Sequence, residues 1–510
     1  MHQRSTGAFD AIVIGSGFGG CMTALPLVEA GLRVLMVERG GWVERNEANW
    51  GDRGAFVLTP HYSTGSGYSI RSRGSWRAQG ICTNVGGPSV FYGGASFRFR
   101  EEDFVPPREI STDSGSRWPI DYATLEPHYQ RAEQLLGVAG EAGVDPTEPW
   151  RSAPYPHGAL PIAPPSRMIA DAADALGMHP FRIPMAIDEA RCQFCVTCDA
   201  FACAVSAKND LATTVIPSLV ASGMVLRPRT VASRILTEGG RATGIAAVDA
   251  DTGEKMVFMA KTVVVAAGAL VSPHLLLASG LQHRSAAGRF VGRFLMRHCN
   301  AMMYGFFPSP PNPDDRHHKQ VAIHDFYFGD PDRPGLGKLG NLQQVMAPPV
   351  SLIRAMLPAP LRPVATAVVR NLTGLLAIAE DQPCERNRIE VARGPEDRYG
   401  LPPARIHHRY TRRDLAARRA LLARANAILR KAGARFTVTW KVNTFSHAVG
   451  TVRMGDDALR SPLDPMCAFR GVSGLWVTDG SAFPSSAGVN PSLTIAANAL
   501  RVGTAIAVKA

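Results

Sequence analysis

The opening forty residues constrain the fold more than any other stretch of this chain. Phe9–Ile14 (FDAIVI) is a short apolar run with the character of a buried strand. GSGFGG follows, with Gly15, Gly17 and Gly20 at G-x-G-x-x-G spacing. The pattern then predicts a helix from about Gly20 to Ala30, stopped by Gly31, and a second strand, Arg33–Val37, ending at Glu38. Strand, glycine turn, helix, strand and acid is the order that suits a dinucleotide. Gly15 makes the tight turn, Gly17 lets backbone approach a pyrophosphate, and Gly20 lets helix and strand pack closely. The helix N-terminus turns free N–H groups and a partial positive charge toward the phosphates. Glu38 is placed to accept from the adenosine ribose hydroxyls, and Phe18, Gly19 and Arg39 complete the candidate contacts. The motif does not choose between FAD and NAD.

Two later segments extend the same parallel sheet. Lys261–Leu270 (KTVVVAAGAL) is a third buried strand with a glycine turn at Ala267 and Gly268, followed by a helix through SPHLLLAS. Met224–Leu236 alternates as a strand that reaches toward the adenine, with Val231 as its candidate contact. At 510 residues the chain is long enough for two or three folding units, so a nucleotide domain interrupted by insertions is the simplest organisation. No internal repeat or low-complexity segment is evident.

Between them lies a second glycine loop, NVGGPSVFYGGASFR (Asn84–Arg98). Gly86, Gly87, Ser89, Tyr92, Gly93 and Gly94 could press backbone N–H groups against a flat or anionic ligand. An ordinary turn is the plainer reading of the loop taken alone. It holds no His or Cys between Gly86 and Gly94, which argues against a covalent flavin there.

The C-terminal part carries FSHAVGTVRMG and, further on, GLWVTDGSAFPSSAGVNPSLTIAANAL. The second is read as a strand (Leu475–Thr478), an acidic turn (Asp479, Gly480), a loop, and a helix opened by Pro491, a residue that suits a first helical turn. Taken together, the four stretches resemble the glucose–methanol–choline (GMC) oxidoreductases over almost the whole chain. The resemblance implies FAD, bound non-covalently, and alcohol oxidation by hydride transfer to flavin N5. It implies a discontinuous Rossmann-like FAD-binding domain (residues 1–105, 206–298 and 437–510) of α/β class. An α+β substrate domain built on an antiparallel sheet (106–205 and 299–436) would complete the fold. The family's catalytic pair maps onto His447 and Asn490, and Asp479, Gly480, Pro491 and Ser492 map onto positions near the flavin. These residue types suit the roles. An imidazole with a reference pKa of roughly 6.5 can take the hydroxyl proton near neutral pH. Asn490 can donate to a developing alkoxide without titrating. A lone histidine among fourteen would otherwise be read as structural.

Arg191–Lys208 contains Cys192, Cys195, Cys198 and Cys203 at C-x2-C-x2-C-x4-C spacing. The first three match bacterial ferredoxin spacing, and four thiolates also suit zinc. Some dehydrogenases resembling this family carry an iron–sulfur cluster at a similar point. Free thiols or a local disulfide are the alternatives.

Between Cys299 and Phe436 the nucleotide pattern disappears. Arg386–Val391 and Ala404–Tyr410 could be strands of a separate sheet, and Asp414–Ala432 a basic helix with a solvated face, stopped by Gly433. No acidic residue occurs between Asp332 and Glu380, an interval that holds Val350–Leu357 and Val364–Val369 with Arg354, Arg362 and Arg370. Its plain reading is a roof over an apolar pocket; its alternative is peripheral contact with an anionic membrane. The net charge of +12 is scattered, without a nucleic-acid module, so no nucleic-acid partner is expected. No signal peptide or apolar span is visible, which makes the cytoplasm the expected location, with contact at the inner membrane face as an addition.

The expected partners are a small alcohol, either a sugar or aminosugar or a hydrophobic alcohol, and O2 or an external electron acceptor. FYGGASFRFR with RWPIDYATLEPHY resembles a bacterial branch that includes aminoglycoside-forming oxidases, while the apolar insertion points to a hydrophobic alcohol. Rival readings are a lyase or isomerase that keeps FAD structurally, a non-catalytic FAD-binding redox partner, and a nicotinamide dehydrogenase. The last leaves the C-terminal segment unexplained.

Overall fold

The computed structural model describes residues 4–46, 62–63, 67–72, 74–159, 161–195, 198–199, 201–314, 319–345, 347, 350, 353–354 and 357–509. Along the chain, β1 (Arg4–Ile14) leads through the glycine turn into α1 (Phe18–Glu29) and β2 (Val34–Val37). The hairpin β3 (Tyr68–Ser72) and β4 (Ser75–Ala78), the helix α2 (Tyr122–Leu135) and the short β5 (Pro180–Arg182) follow. Then come β6 (Val225–Arg227), β7 (Thr230–Glu238), β8 (Arg241–Asp249), β9 (Lys255–Val265) and α3 (Val271–Ala278). The next strands are β10 (Ala301–Phe306), β11 (Val321–Ile323), β12 (Gly340–Val345), β13 (Leu372–Ala379), β14 (Arg388–Val391) and β15 (Ala404–His407). The chain ends with α4 (Arg412–Lys431), β16 (Phe436–Lys441), β17 (Leu475–Val477) and α5 (Ser492–Lys509).

The first sheet runs β6-β2-β1-β9-β8-β7, and β17 also pairs with β9. Pairings among β6, β2, β1, β9 and β17 are parallel. Ala11–Val13 and Val34–Val37 are buried on both sides, as a central parallel strand requires. β1 begins well before Phe9 because its first half pairs with Met256–Ala260, and β9 correspondingly starts before Lys261. The single strand expected over Met224–Leu236 is two strands. Pro228 cannot donate to a ladder and Arg229 takes φ +52°, so the chain turns there. β6 stays parallel to β2, whereas β7 runs antiparallel to β8, so this edge is mixed rather than parallel throughout. α1 packs against α5. A Cβ at Gly503 would stand 2.6 Å from the Thr23 carbonyl oxygen, which is why that crossing is so close.

A second sheet, β16-β10-β13-β12-β11-β5, is antiparallel at every pairing. α4 covers one face, with Met303, Leu375, Ala377, Leu421, Ile428 and Leu429 in a common core. α4 starts at Arg412 because Thr411 and Asp414 form a reciprocal capping box, and Gly433 at φ +102° follows its end. The expectation of a solvated basic helix holds for only one side of α4, since the other is buried core. Phe436–Lys441 pairs along its length with Ala301–Phe306. The boundary expected between residues 436 and 437 therefore falls inside a strand of this second sheet. β14 and β15 form as strands of a separate sheet, but β15 pairs in parallel with β3, joining residues 388–407 to the hairpin at 68–78. Sequence separation had assigned these two stretches to different domains.

Among the described residues no helix is long and apolar enough to cross a membrane. Much of Val350–Leu357 lies outside the described residues. Beyond it, a 3-10 turn at Ala359–Val364 and a short helix at Ala365–Arg370 leave Leu361, Val364 and Val368 exposed.

Candidate active site

The turn after β1 is held by close backbone contacts. Gly15 takes φ +101°, and a Cβ there would lie 2.4 Å from the Ala266 carbonyl oxygen. One at Gly20 would lie 1.9 Å from the Gly15 carbonyl oxygen, so the helix packs directly on the turn. At Gly19 it would strike the Thr478–Asp479 backbone, which brings the start of α1 against the end of β17. Gly17, the N-cap of α1, is different: a Cβ would meet only Pro88 at 3.9 Å. Phe18 is buried and meets Tyr92 edge-on at 5.5 Å.

Ser16, which the motif does not single out, ties Glu38 to the second glycine loop. Its hydroxyl donates to Glu38 Oε2 at 2.7 Å and accepts from the Gly86 amide at 3.0 Å. Glu38 also accepts from the amides of Ser16 (3.1 Å) and Gly40 (2.9 Å). Burial nonetheless pushes its carboxyl above the usual value. Gly86 and Gly87 both have positive φ, and a Cβ at Gly87 would lie 3.0 Å from Gly17 Cα, so the two glycine loops touch. Thr230 donates its amide to the Glu38 carbonyl at 2.8 Å, which sets the buried Val231 beside the end of β2. Arg39, next in the chain, holds its guanidinium 5.3 Å over the Tyr399 ring.

The rest of the second loop is engaged within the protein. Ser89 donates to the Gly86 carbonyl at 2.6 Å and accepts from Leu211 N at 3.1 Å. Tyr92 donates to the Asn209 carbonyl at 2.6 Å. The space a Cβ at Gly93 would need is filled by Asp199 and Lys319, and at Gly94 by Ile187. Asp479 is buried and accepts from Gly268 N at 2.7 Å, Ser272 Oγ at 2.5 Å, Ser481 N at 2.8 Å and the Ser481 hydroxyl. It thereby ties the Ala267–Gly268 turn to the C-terminal segment, although burial pushes its carboxyl up. A Cβ at Gly480 would press on Val449 and Ile495. The last helix begins at Ser492, directly after Pro491, whose carbonyl already accepts from Ile495.

His447 and Asn490 meet at the N-terminal end of that helix. Asn490 Nδ2 is 3.4 Å from His447 Nε2. Gln343 on β12 donates to Asn490 Oδ1 at 2.6 Å. On the other side, His447 Nδ1 is 2.9 Å from Nδ1 of the buried His298. Burial pushes the His447 imidazole well below its usual value, with the charge of Lys319 acting in the same direction and that of Asp381 opposing it. Gln343, Leu376, Met302 and Trp440 are aligned across β12, β13, β10 and β16 and so share one face, opposite α4. His298 and Gln343 carry no local motif. Their only sequence signal was a histidine just before a strand and a glutamine within one.

The four cysteines of the compact segment line one small cavity with Ile187 and Lys208. All are free thiols, and burial holds Cys192 up at about 11 and Cys198 higher still. Among the described residues no three His, Cys, Asp or Glu side chains are placed to hold a metal ion.

Comparison with known proteins agrees with the fold. Residues 9–300 and 383–499 match the two parts of the GMC oxidoreductase family. The chain is 31% identical to 6'''-hydroxyparomomycin C oxidase of Streptomyces lividus, over 98% of its own length and 91% of that protein. It is 28% identical to 2-methyl-1,2-propanediol dehydrogenase of Mycolicibacterium austroafricanum, over 97% and 94%. Pyridoxine 4-oxidase from Mesorbium loti superposes with a TM-score of 0.65 at 19% identity, over 98% of each chain. This chain belongs to the GMC oxidoreductases and is an enzyme of that family, an oxidoreductase of CH–OH groups.

Proposed function

We propose that the enzyme oxidises a small alcohol to an aldehyde or ketone, with His447 as the base and Asn490 as the donor to the developing alkoxide. The observation that carries this reading is the 3.4 Å approach of Asn490 Nδ2 to His447 Nε2, where a hydroxyl could sit against both. His447, held below its usual pKa, is unprotonated at neutral pH and ready to accept the hydroxyl proton. FAD, when bound, supplies the hydride acceptor. The residues suited to hold it without a covalent bond are the open turn at Gly17, the Gly86–Gly87 backbone against it, and Glu38 on the ribose side. The cradle fits a dinucleotide because side chains are excluded where the two loops touch.

The body of the substrate would lie over the sheet face that carries Gln343. Met302, Leu376 and Trp440 make that face apolar, and each is partly open. This favours an alcohol with an apolar body over a sugar. The exposed Leu361, Val364 and Val368, beside Arg362 and Arg370, support a second element of the reading, peripheral contact with an anionic membrane from the cytoplasmic side. Liposomes rich in anionic lipid should co-sediment the protein, and failure to do so would count against that contact.

The main test is anaerobic reduction of the bound flavin by a panel of aliphatic, aromatic, sterol and sugar alcohols, followed by admission of air. Apolar alcohols should bleach the flavin fastest, and reoxidation by air would identify O2 as acceptor. His447→Ala should keep its FAD and lose about 100-fold or more in reduction rate. An undiminished rate would end the assignment of the base.

A further inference from the structure

His298 is buried, lies 149 residues from His447 in the chain, and presents both ring nitrogens to defined partners. Its Nε2 is 3.0 Å from the carbonyl oxygens of both Ser486 and Ala487. A carbonyl cannot donate, so Nε2 must carry a hydrogen. In the neutral ring that leaves a lone pair on Nδ1, aimed at His447 Nδ1 at 2.9 Å. His447 must then be the donor in this contact, with its hydrogen on Nδ1 and a lone pair on Nε2. The far side agrees independently. Gln343 donates to Asn490 Oδ1, which turns the Asn490 Nδ2 hydrogens toward His447 Nε2. Every hydrogen bond from Gln343 through Asn490, His447 and His298 to the two carbonyls thus points the same way.

The backbone is bent to make this contact. His298 takes φ +60° and Ala487 φ +54°, both in the left-handed region that costs a non-glycine residue roughly 1–2 kcal/mol. Asp381 secures the arrangement without touching the ring: Oδ1 accepts from His298 N at 3.0 Å and from Ser486 Oγ at 3.1 Å.

We infer that His298 is a positioning residue for alcohol oxidation: it holds His447 as the Nδ1–H tautomer, so that the Nε2 lone pair faces the substrate hydroxyl. This rests on His447 being the base. When Nε2 takes the hydroxyl proton, the new cation keeps its Nδ1–H on the His298 lone pair, and the charge is shared across the pair. The oppositely polarised tautomer would place a hydrogen where the lone pair is needed. The other charged or titratable groups facing the pair are Asp381 and His408, which lie 3.7 Å apart, Arg297, and Lys319 with Asp199.

The test compares His298→Asn with His298→Leu. Both side chains branch at the same carbon and neither reaches the two carbonyls. Asn offers an oxygen in place of Nδ1, and it also tolerates positive φ. Stopped-flow flavin reduction of the holoenzyme under anaerobic conditions should fall about 100-fold or more in His298→Leu and recover to within about 10-fold in His298→Asn. Holoenzyme labelled with 15N-histidine should show the Nδ1–H form of His447 in the parent and in His298→Asn, and a mixed population in His298→Leu. Loss of FAD or of cooperative unfolding in His298→Leu moves the test to the parent spectrum. An Nε2–H tautomer there overturns the proposal, as do equal rates in the two variants. His447→Ala separates the two readings: if it reduces flavin normally, the base assignment fails, whereas a dead His447→Ala with an unaffected His298→Leu removes only the role of His298.

Discussion

The Ser16 hydroxyl donates to Glu38 at 2.7 Å while accepting from the Gly86 amide at 3.0 Å, so one small side chain joins the acid at the end of β2 to the second glycine loop. Ser16→Ala removes both bonds and leaves a buried carboxylate oxygen with one partner fewer. The expected cost is about 1–3 kcal/mol, seen as roughly 5- to 150-fold weaker FAD retention. Flavin fluorescence during dilution measures it directly, and unchanged retention would show that the tie is dispensable.

Gly87→Ala should separate the two glycine loops. Its φ of +55° and the 3.0 Å approach of a Cβ to Gly17 Cα both oppose a side chain. Gly31 also has positive φ, at +78°, but nothing lies within 4 Å of a Cβ there. Both substitutions should therefore lower the melting temperature through backbone strain of about 1–2 kcal/mol. Only Gly87→Ala should also purify with substoichiometric FAD.

With His447 as the proposed base, its protonation sets the expected pH response. Burial, with Lys319 acting in the same direction, holds it well below its usual 6.5. The acid limb of kcat/KM should consequently lie below pH 6.5, with the rate flat above it until another group titrates. Stability follows with the same sign. As pH falls through 6.5, the unfolded chain takes up a proton that the folded His447 refuses, so folding weakens. His128, held down to about 4 by burial, Arg501 and Arg131, adds to this. The urea midpoint should fall between pH 6.5 and 4, and His128→Gln should flatten part of the slope.

Lys338 is buried between Asp103 and Glu380, 2.6 Å from the latter. Asp103 also accepts from the Tyr327 hydroxyl, which in turn accepts from the amide of Gly488, two residues before Asn490. Lys338→Met leaves two carboxylates without their cation. A loss of about 3–5 kcal/mol in urea unfolding is expected, because a broken buried pair costs more than an absent one. A loss below about 1 kcal/mol would mean that water reaches the cluster.

The elements that were legible in the sequence are those whose chemistry is local. The strand, turn and helix around Gly15, Gly17 and Gly20 could be read because a tight turn and close packing impose residue types at adjacent positions. Asp479, Asn490 and the helix after Pro491 lie within one short segment for the same reason. His447 and Asn490 were named from their resemblance to a known pattern, and the folded chain brings them within 3.4 Å. Periodicity could not report the break at Pro228, the strand shared across residue 436, or the gathering of the four thiols around one cavity. Those depend on which strands pair and how a loop closes.

By itself, then, the sequence determined the nucleotide-type turn, the family, and the identity of the two central polar residues. Only the tertiary structure decided what surrounds them. Ser16 reaches Gly86 across 70 residues, Gln343 reaches Asn490 across 147, and His298 reaches His447 across 149. Such contacts leave no local trace. They arise from the register of sheets whose strands are far apart in the chain, and a side chain's partner there is chosen by that register and not by its neighbours in sequence.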